Sequence, residues 1–307
     1  MKIAFVFSGQ GSQYIGMGKD FYDNFECFKR VFDTGNMILN KDLDKLCFNS
    51  DIEELNKTEN TQPAILAVSV GIQEILKEKG IKANGCAGFS LGEYSALVNA
   101  NSIDFKDAIN LVQKRAKYMQ EAVPIGQGGM VAIICSDKNV VEDTIKEYKD
   151  VYISNYNSPN QLVIGGNITS LKSISKVLIE KGARAAIPLK VSGPFHTPLL
   201  KSASEKLSED LVNIDFKKNT IPIISNVTGS YIENIDELND LLKKQVMAPV
   251  KWQDTIEKFI NDGYDTFIEI GPGKVLTGFI KKINKSVKTL NIEDLASLNK
   301  TLKEVTS

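Results

Sequence analysis

The chain holds a single histidine in 307 residues. Imidazole catalysis therefore has one possible source, and a histidine-rich metal centre cannot be assembled. Its four cysteines, Cys27, Cys47, Cys86 and Cys135, are scattered and form no C-x-x-C pair. That excludes a disulfide-stapled framework, argues against any metal site, and fits buried, reduced thiols in a cytoplasmic protein. No apolar run approaches the roughly 18 residues of a membrane-spanning helix, and the apolar stretch Ile3–Phe7 is too short for a signal peptide. With 37 Lys and Arg against 38 Asp and Glu, the net charge of −1 lacks the basic excess of a general nucleic-acid binder.

What remains is an ordinary soluble composition, 42% apolar and 24% charged, in a chain long enough for one large core or for one domain carrying an insertion. Its organising stretch is Gly88-Phe89-Ser90-Leu91-Gly92, which fits Gly-x-Ser-x-Gly between the small apolar run Gly85-Cys86-Ala87 and a helix-like run. This is the layout of a nucleophile elbow, with the serine on a tight strand-to-helix turn and glycines where strand and helix approach. The helix directs its dipole and free N–H groups at the serine, where charge develops in acyl transfer. The bare pattern arises by chance in about one chain in ten of this length, so Ser90 needs a base, and only His196 can supply an imidazole.

Taken in order, residues 2–7 predict a buried strand ending in the glycine-rich loop Ser8–Gln13. The loop lacks both the third Rossmann glycine and a P-loop Gly-Lys-Ser/Thr. It serves either a tight turn or a backbone N–H placed over an active site. Helices are expected over 17–33, 40–57, 61–79, 91–100 and 104–121, with Pro63 in the first turn of the third. Arg115 falls midway along the last, as a surface residue or as a grip for a substrate carboxylate. The break Val123–Gly129 precedes a β-α-β-β-α-β order over about residues 129–191, the ferredoxin-like unit, with Asn155–Asn160 as a polar hairpin loop. Afterwards an α/β rhythm returns: strand 221–225, helices 235–246 and 251–262, strand 266–270, a helix to Ile283, a strand near 287–290 and a final helix. The expected fold is α/β, a mostly parallel sheet covered by helices. Residues 1–126 and 192–307 would form the large domain, and 127–191 an inserted small one.

Several motifs then coincide: Phe-Ser-Gly-Gln-Gly-Ser-Gln (7–13), Thr-Gln-Pro-Ala (61–64), Gly-Phe-Ser-Leu-Gly-Glu-Tyr-Ser-Ala-Leu (88–97), Gln-Lys-Arg-Ala around Arg115, Met-Gln-Glu-Ala-Val-Pro (119–124), Asn-Ser-Pro-x-Gln (157–161), Gly-Pro-Phe-His (193–196) and Glu-Ile-Gly-Pro-Gly-Lys-Val-Leu (269–276). Their order resembles that of malonyl-CoA:acyl carrier protein transacylases, over almost the whole chain. The resemblance implies a hydrolase-like α/β domain with a ferredoxin-like insertion and an active site in the cleft between them. It implies ping-pong transfer through a malonyl-serine, with Ser90 as nucleophile and His196 as base and acid. The imidazole would be oriented by a backbone carbonyl near Gln245. The N–H groups of Gln10 and Leu91 would form the oxyanion hole. Arg115 would hold the malonyl carboxylate, Phe195 would exclude an α-methyl group, and Gln62 and Asn157 would also bind substrate.

The substrates implied are malonyl-CoA and holo acyl carrier protein, with no metal or other cofactor, in a monomer that contacts neither membrane nor nucleic acid. An acidic carrier calls for a basic docking surface; Lys281, Lys282, Lys285 and Lys288, or Arg184 and Lys190, are the candidates. A serine hydrolase is the competing class. One departure stands out: Phe89 occupies the position before the nucleophile where the family usually has His.

Overall fold

The computed structural model describes residues 1–124, 126–135 and 137–306. Strand β1 (Ile3–Phe7) is buried at every position, and its alternating side chains feed two different cores. Ile3, Phe5 and Phe7 enter one hydrophobic cluster, whereas Ala4 and Val6 enter another. Burial on both faces is the condition of a parallel sheet covered by helices. β1 lies at its centre, pairing in parallel with β2 (Gly85–Gly88) and with β3 (Thr266–Ile270), which pairs in parallel with β4 (Lys288–Ile292). All the strands therefore end at one edge, and the loops leaving β1, β2 and β3 meet there.

Between β1 and β2 lie α1 (Lys19–Asn24), α2 (Glu26–Leu39), α3 (Leu43–Asn49), α4 (Ile52–Leu55) and α5 (Thr58–Glu78). The first four replace the two longer helices expected over 17–33 and 40–57. Asn40, at φ 49°, closes α2 in the left-handed region. Pro63 lies in the second turn of α5, not the first, so the Glu59 carbonyl loses its helical donor. The Gln113 side chain donates to that carbonyl at 3.2 Å instead. After the elbow come α6 (Gly92–Asn99) and α7 (Phe105–Glu121), and α2, α5 and α7 pack together on one face of the sheet.

Residues 128–188 supply a second sheet, antiparallel and four-stranded. Its strands are β5 (Gly128–Ile134), β6 (Val151–Ser158), β7 (Gln161–Asn167) and β8 (Ala185–Pro188), in the order β6-β7-β5-β8, with α8 (Lys138–Ile145) and α9 (Ile168–Glu180) as crossovers. This is the ferredoxin-like arrangement. Val131 and Ile133 pack in a core with residues of α8 and α9, while Met130, Ala132 and Val163 join the core of the first sheet. Within the break before β5, Ile125 lies outside the described residues.

Of the polar stretch Asn155–Asn160 only Pro159 and Asn160 form the hairpin turn: β6 runs through Ser158, with register shifts after Ile153 and Tyr156. The bulges keep the strand paired while turning Asn155 and Asn157 inward. Residues 221–225 form no strand; only isolated bridges join Ile223 to Cys86 and Ile224 to Tyr231. Pro222 lacks a donor there, and a turn through Gly229, at φ 67°, folds the segment back on itself.

The rest of the chain is helical around β3 and β4: α10 (Lys201–Leu211), α11 (Leu238–Gln245), α12 (Trp252–Asn261), α13 (Val275–Ile283) and α14 (Leu295–Thr306). Residues of α12 and α13 cover the face opposite α5. No helix among the described residues is long and apolar enough to cross a membrane.

Candidate active site

β2 delivers Ser90 through a turn that only glycine permits on both sides. A Cβ on Gly88 would lie 1.8 Å from the Gly92 carbonyl carbon, and one on Gly92 would lie 2.2 Å from the Phe7 oxygen. With helix and strand this close, Ser90 adopts φ 53°, in the left-handed region that L-residues avoid. Asn226 clamps the turn: its Oδ1 accepts from the Ser90 N–H at 2.6 Å, and its Nδ2 donates to the Gly88 carbonyl at 2.6 Å.

His196 arrives from the segment that follows β8. It is 3% exposed, has φ 60°, and sets Nε2 2.7 Å from Ser90 Oγ. Its Nδ1 lies 2.7 Å from the backbone oxygen of Gln245. A carbonyl only accepts, so Nδ1 carries the proton and Nε2 is left as an acceptor for the Ser90 hydroxyl. Burial, and then the nearby Arg115 guanidinium, push the imidazole down to about 4, which keeps it neutral and able to take a proton.

Arg115 projects from α7 into the same centre and is 1% exposed. Nη1 donates to Gln62 Oε1 at 2.5 Å, and Nη2 donates to Gln245 Oε1 at 2.9 Å and to Ser90 Oγ at 3.2 Å. The guanidinium lies 5.5 Å from the centre of the Tyr94 ring. Among the described residues no carboxylate comes within ion-pairing distance of it, and its Nε is buried without a partner. A buried cation held only by neutral acceptors is poised for an anion from outside.

Ser90, His196, Arg115 and Gln62 line a cleft of about 670 Å³ together with Gln10, Leu91, Phe195, Asn157, Phe89 and Lys190. Neither the Gln10 nor the Leu91 N–H has a hydrogen-bond acceptor among the described residues. Phe89 packs edge-on against Trp252 with centroids 5.5 Å apart and also against Phe279, so an apolar wall replaces the polar group expected there. Gln62 contacts Arg115, and Asn157 faces the cleft from β6. No group of His, Cys, Asp and Glu among the described residues could hold a metal ion.

The sequence match decides the family. Residues 4–307 fit the acyl transferase domain. The malonyl CoA-acyl carrier protein transacylase of Bacillus subtilis is 45% identical over 310 residues, spanning 99% of this chain and 98% of the relative. The chain belongs to this transacylase family. It is an acyltransferase. A solved malonyl CoA-acyl carrier protein transacylase from Clostridium perfringens is 47% identical and superposes with TM-score 0.96, covering 100% of this chain and 98% of that one. A further solved relative, 40% identical at TM-score 0.96 with 99% and 100% covered, is a malonyl-transacylase in complex with a type II PKS acyl-carrier protein.

Two functional-centre residues escaped the sequence reading. Glu93 is 1% exposed and accepts from Gln245 Nε2 at 2.5 Å and from the Asn226 N–H at 3.3 Å; burial raises its carboxyl to about 7. Asn226 directly follows the apolar stretch 221–225, and no motif marks it. An acid three residues after Ser90, in the first turn of the elbow helix, is the signal available in the sequence for Glu93.

Proposed function

We propose that the chain moves a malonyl group from malonyl-CoA to the phosphopantetheine thiol of an acyl carrier protein, through a malonyl ester on Ser90. The observation that carries this reading is Arg115, a buried guanidinium with no counter-carboxylate among the described residues, whose Nη2 lies 3.2 Å from Ser90 Oγ. Its planar fork matches a free carboxylate, and an enzyme for neutral acyl groups has no use for one there.

In the first half-reaction His196 Nε2 takes the Ser90 proton as Oγ bonds to the thioester carbon. The carbonyl oxygen becomes an oxyanion, stabilised by the N–H groups of Gln10 and Leu91. As the C–S bond breaks, Nε2–H protonates the departing coenzyme A sulfur, leaving malonyl-Ser90. In the second half the carrier's thiol gives its proton to Nε2 and attacks the ester, and Ser90 regains that proton as it leaves. The Gln245 carbonyl balances the imidazolium in each half, in place of a carboxylate. Phe195, in the cleft wall, limits room beside the acyl α-carbon.

For the acidic carrier, Lys190 and Lys282, which line the cleft, are the supported contacts, and Lys281 and Lys285 are near Lys282 in sequence. Lys288 is committed to Glu304, and Arg184 lies at the end of β8 away from the cleft. All four cysteines are buried free thiols, which supports the cytoplasm as compartment, and one chain supplies every group invoked, which supports a monomer.

The test is intact mass after brief exposure to malonyl-CoA, followed by holo carrier protein. One malonyl group mapped to Ser90 and then passed to the carrier is the expected result. Free malonate with an unloaded carrier would overturn the transfer reading in favour of a hydrolase.

A further inference from the structure

The Glu93 carboxylate lies behind the reacting groups and hydrogen-bonds none of them directly, yet each is tied to it within two hydrogen bonds. Its Oε2 accepts from Gln245 Nε2 at 2.5 Å, and its Oε1 accepts from the Asn226 N–H at 3.3 Å. Gln245 Nε2 also donates to the Ser90 carbonyl at 3.0 Å. The same Gln245 amide presents Oε1 to Arg115 Nη2 at 2.9 Å, and the backbone oxygen of Gln245 takes the His196 Nδ1 proton at 2.7 Å. Asn226 accepts the Ser90 N–H at 2.6 Å.

The chemistry of the two ends fixes the amide. A guanidinium can only donate, and at pH 8, above the value of about 7 to which burial raises it, the Glu93 carboxylate is ionised and can only accept. Gln245 therefore has one orientation, with oxygen toward Arg115 and nitrogen toward Glu93. A neutral amide or hydroxyl in place of Glu93 would leave that orientation to Arg115 and the Ser90 carbonyl alone and remove the charge-assisted bond that holds the amide in place. Because the Gln245 side chain and carbonyl belong to one residue at the end of α11, holding the first holds the second.

We propose that Glu93 is a positioning residue: it locks the Gln245 amide, and through it sets both the tautomer of His196 and the grip of Arg115. This rests on the Ser90–His196 mechanism above. Glu93 also supplies the network's one carboxylate, so the site holds an anion for Arg115 at one remove rather than in contact. Contact would pair the guanidinium and close it to substrate; separation by one amide leaves Arg115 open.

Having one histidine makes the test clean, since every imidazole signal reports His196. Wild type, Glu93→Gln and Gln245→Met are compared at pH 8 by imidazole nitrogen–proton NMR and by malonyl transfer kinetics. Wild type is expected as the Nδ1–H tautomer alone. Glu93→Gln is expected to show a mixture of tautomers and a loss of about tenfold to a hundredfold in kcat/KM, the range for losing a hydrogen bond to a charged group. Gln245→Met severs the amide that holds the residue in place, so its backbone carbonyl should drift from Nδ1 and the tautomer should shift alike, and the double variant should be no worse than the worse single one.

A folded Glu93→Gln protein with the wild-type tautomer and kcat/KM within about twofold would overturn the assignment. If Glu93→Gln does not fold, an unshifted tautomer in Gln245→Met overturns it instead. The NMR measurement needs no substrate. A wild-type enzyme that never loads malonyl therefore defeats the proposed function, whereas an unmoved tautomer defeats only the role of Glu93.

Discussion

Ser90 and His196 are both held in the left-handed region, at φ 53° and φ 60°, while their Oγ and Nε2 stand 2.7 Å apart. Each conformation costs roughly 1–2 kcal/mol for an L-residue. The surroundings over-determine both: Asn226 and the Gly88–Gly92 contact at the serine, the Gln245 carbonyl at the histidine. Strain at both members of the pair places the stability cost where the chemistry is.

Relief of that strain is measurable. Ser90→Gly should abolish acyl loading and raise the melting temperature by about 2 °C, as glycine adopts positive φ without penalty. Thermal unfolding of the variant checks this, and an unchanged or lower midpoint would refute stored strain at the elbow.

Gly88 is the opposite case. Its missing Cβ leaves room for the Gly92 backbone, which would otherwise be only 1.8 Å away. Gly88→Ala must push β2 from α6 at their closest approach, so the variant should be recovered unfolded or insoluble. Soluble protein with wild-type circular dichroism would contradict the packing.

Arg115→Ala removes the cation and leaves the acceptors of Gln62 and Gln245 unpaired. Transfer of malonyl should fall by about a hundredfold or more in kcat/KM, in line with loss of a charge-assisted pair, while acetyl transfer is spared. Steady-state kinetics with both thioesters decide; an equal loss for the two would mean that Arg115 is not the carboxylate grip.

The buried imidazole sits at about 4, below its ordinary 6.5. Between those values the unfolded chain binds a proton that the folded chain refuses. The contribution of His196 to stability is thus complete above about 6.5 and is lost as pH falls toward 4. Titration of the one imidazole by NMR should give a midpoint well below 6, and a midpoint near 6.5 would place His196 in water.

Much of this was readable along the chain, because the signals are local. The alternation in Ile3–Phe7, the small residues flanking Ser90 and the β-α-β-β-α-β order each follow from neighbours in sequence. The misreadings share one cause. Asn155–Ser158 looks like a loop because it is polar, yet β7 pairs with it. The stretch 221–225 looks like a strand because it is apolar, yet Pro222 and the turn at Gly229 leave only bridges. Local composition was outvoted by partners that the sequence does not name.

By itself the sequence determined the chemistry available: one imidazole, one serine on an elbow, and a family order that marks Arg115. Only the tertiary structure decided that Arg115 is buried beside Ser90 with no counter-carboxylate among the described residues, and that Phe89 is an apolar wall against Trp252 and Phe279. It alone brought Glu93 to Gln245, 152 residues away in sequence. Spacing along a chain specifies which groups exist and which turns they can make. Distances between remote groups, and the burial that sets their charge, arise only when the sheet closes and the helices pack.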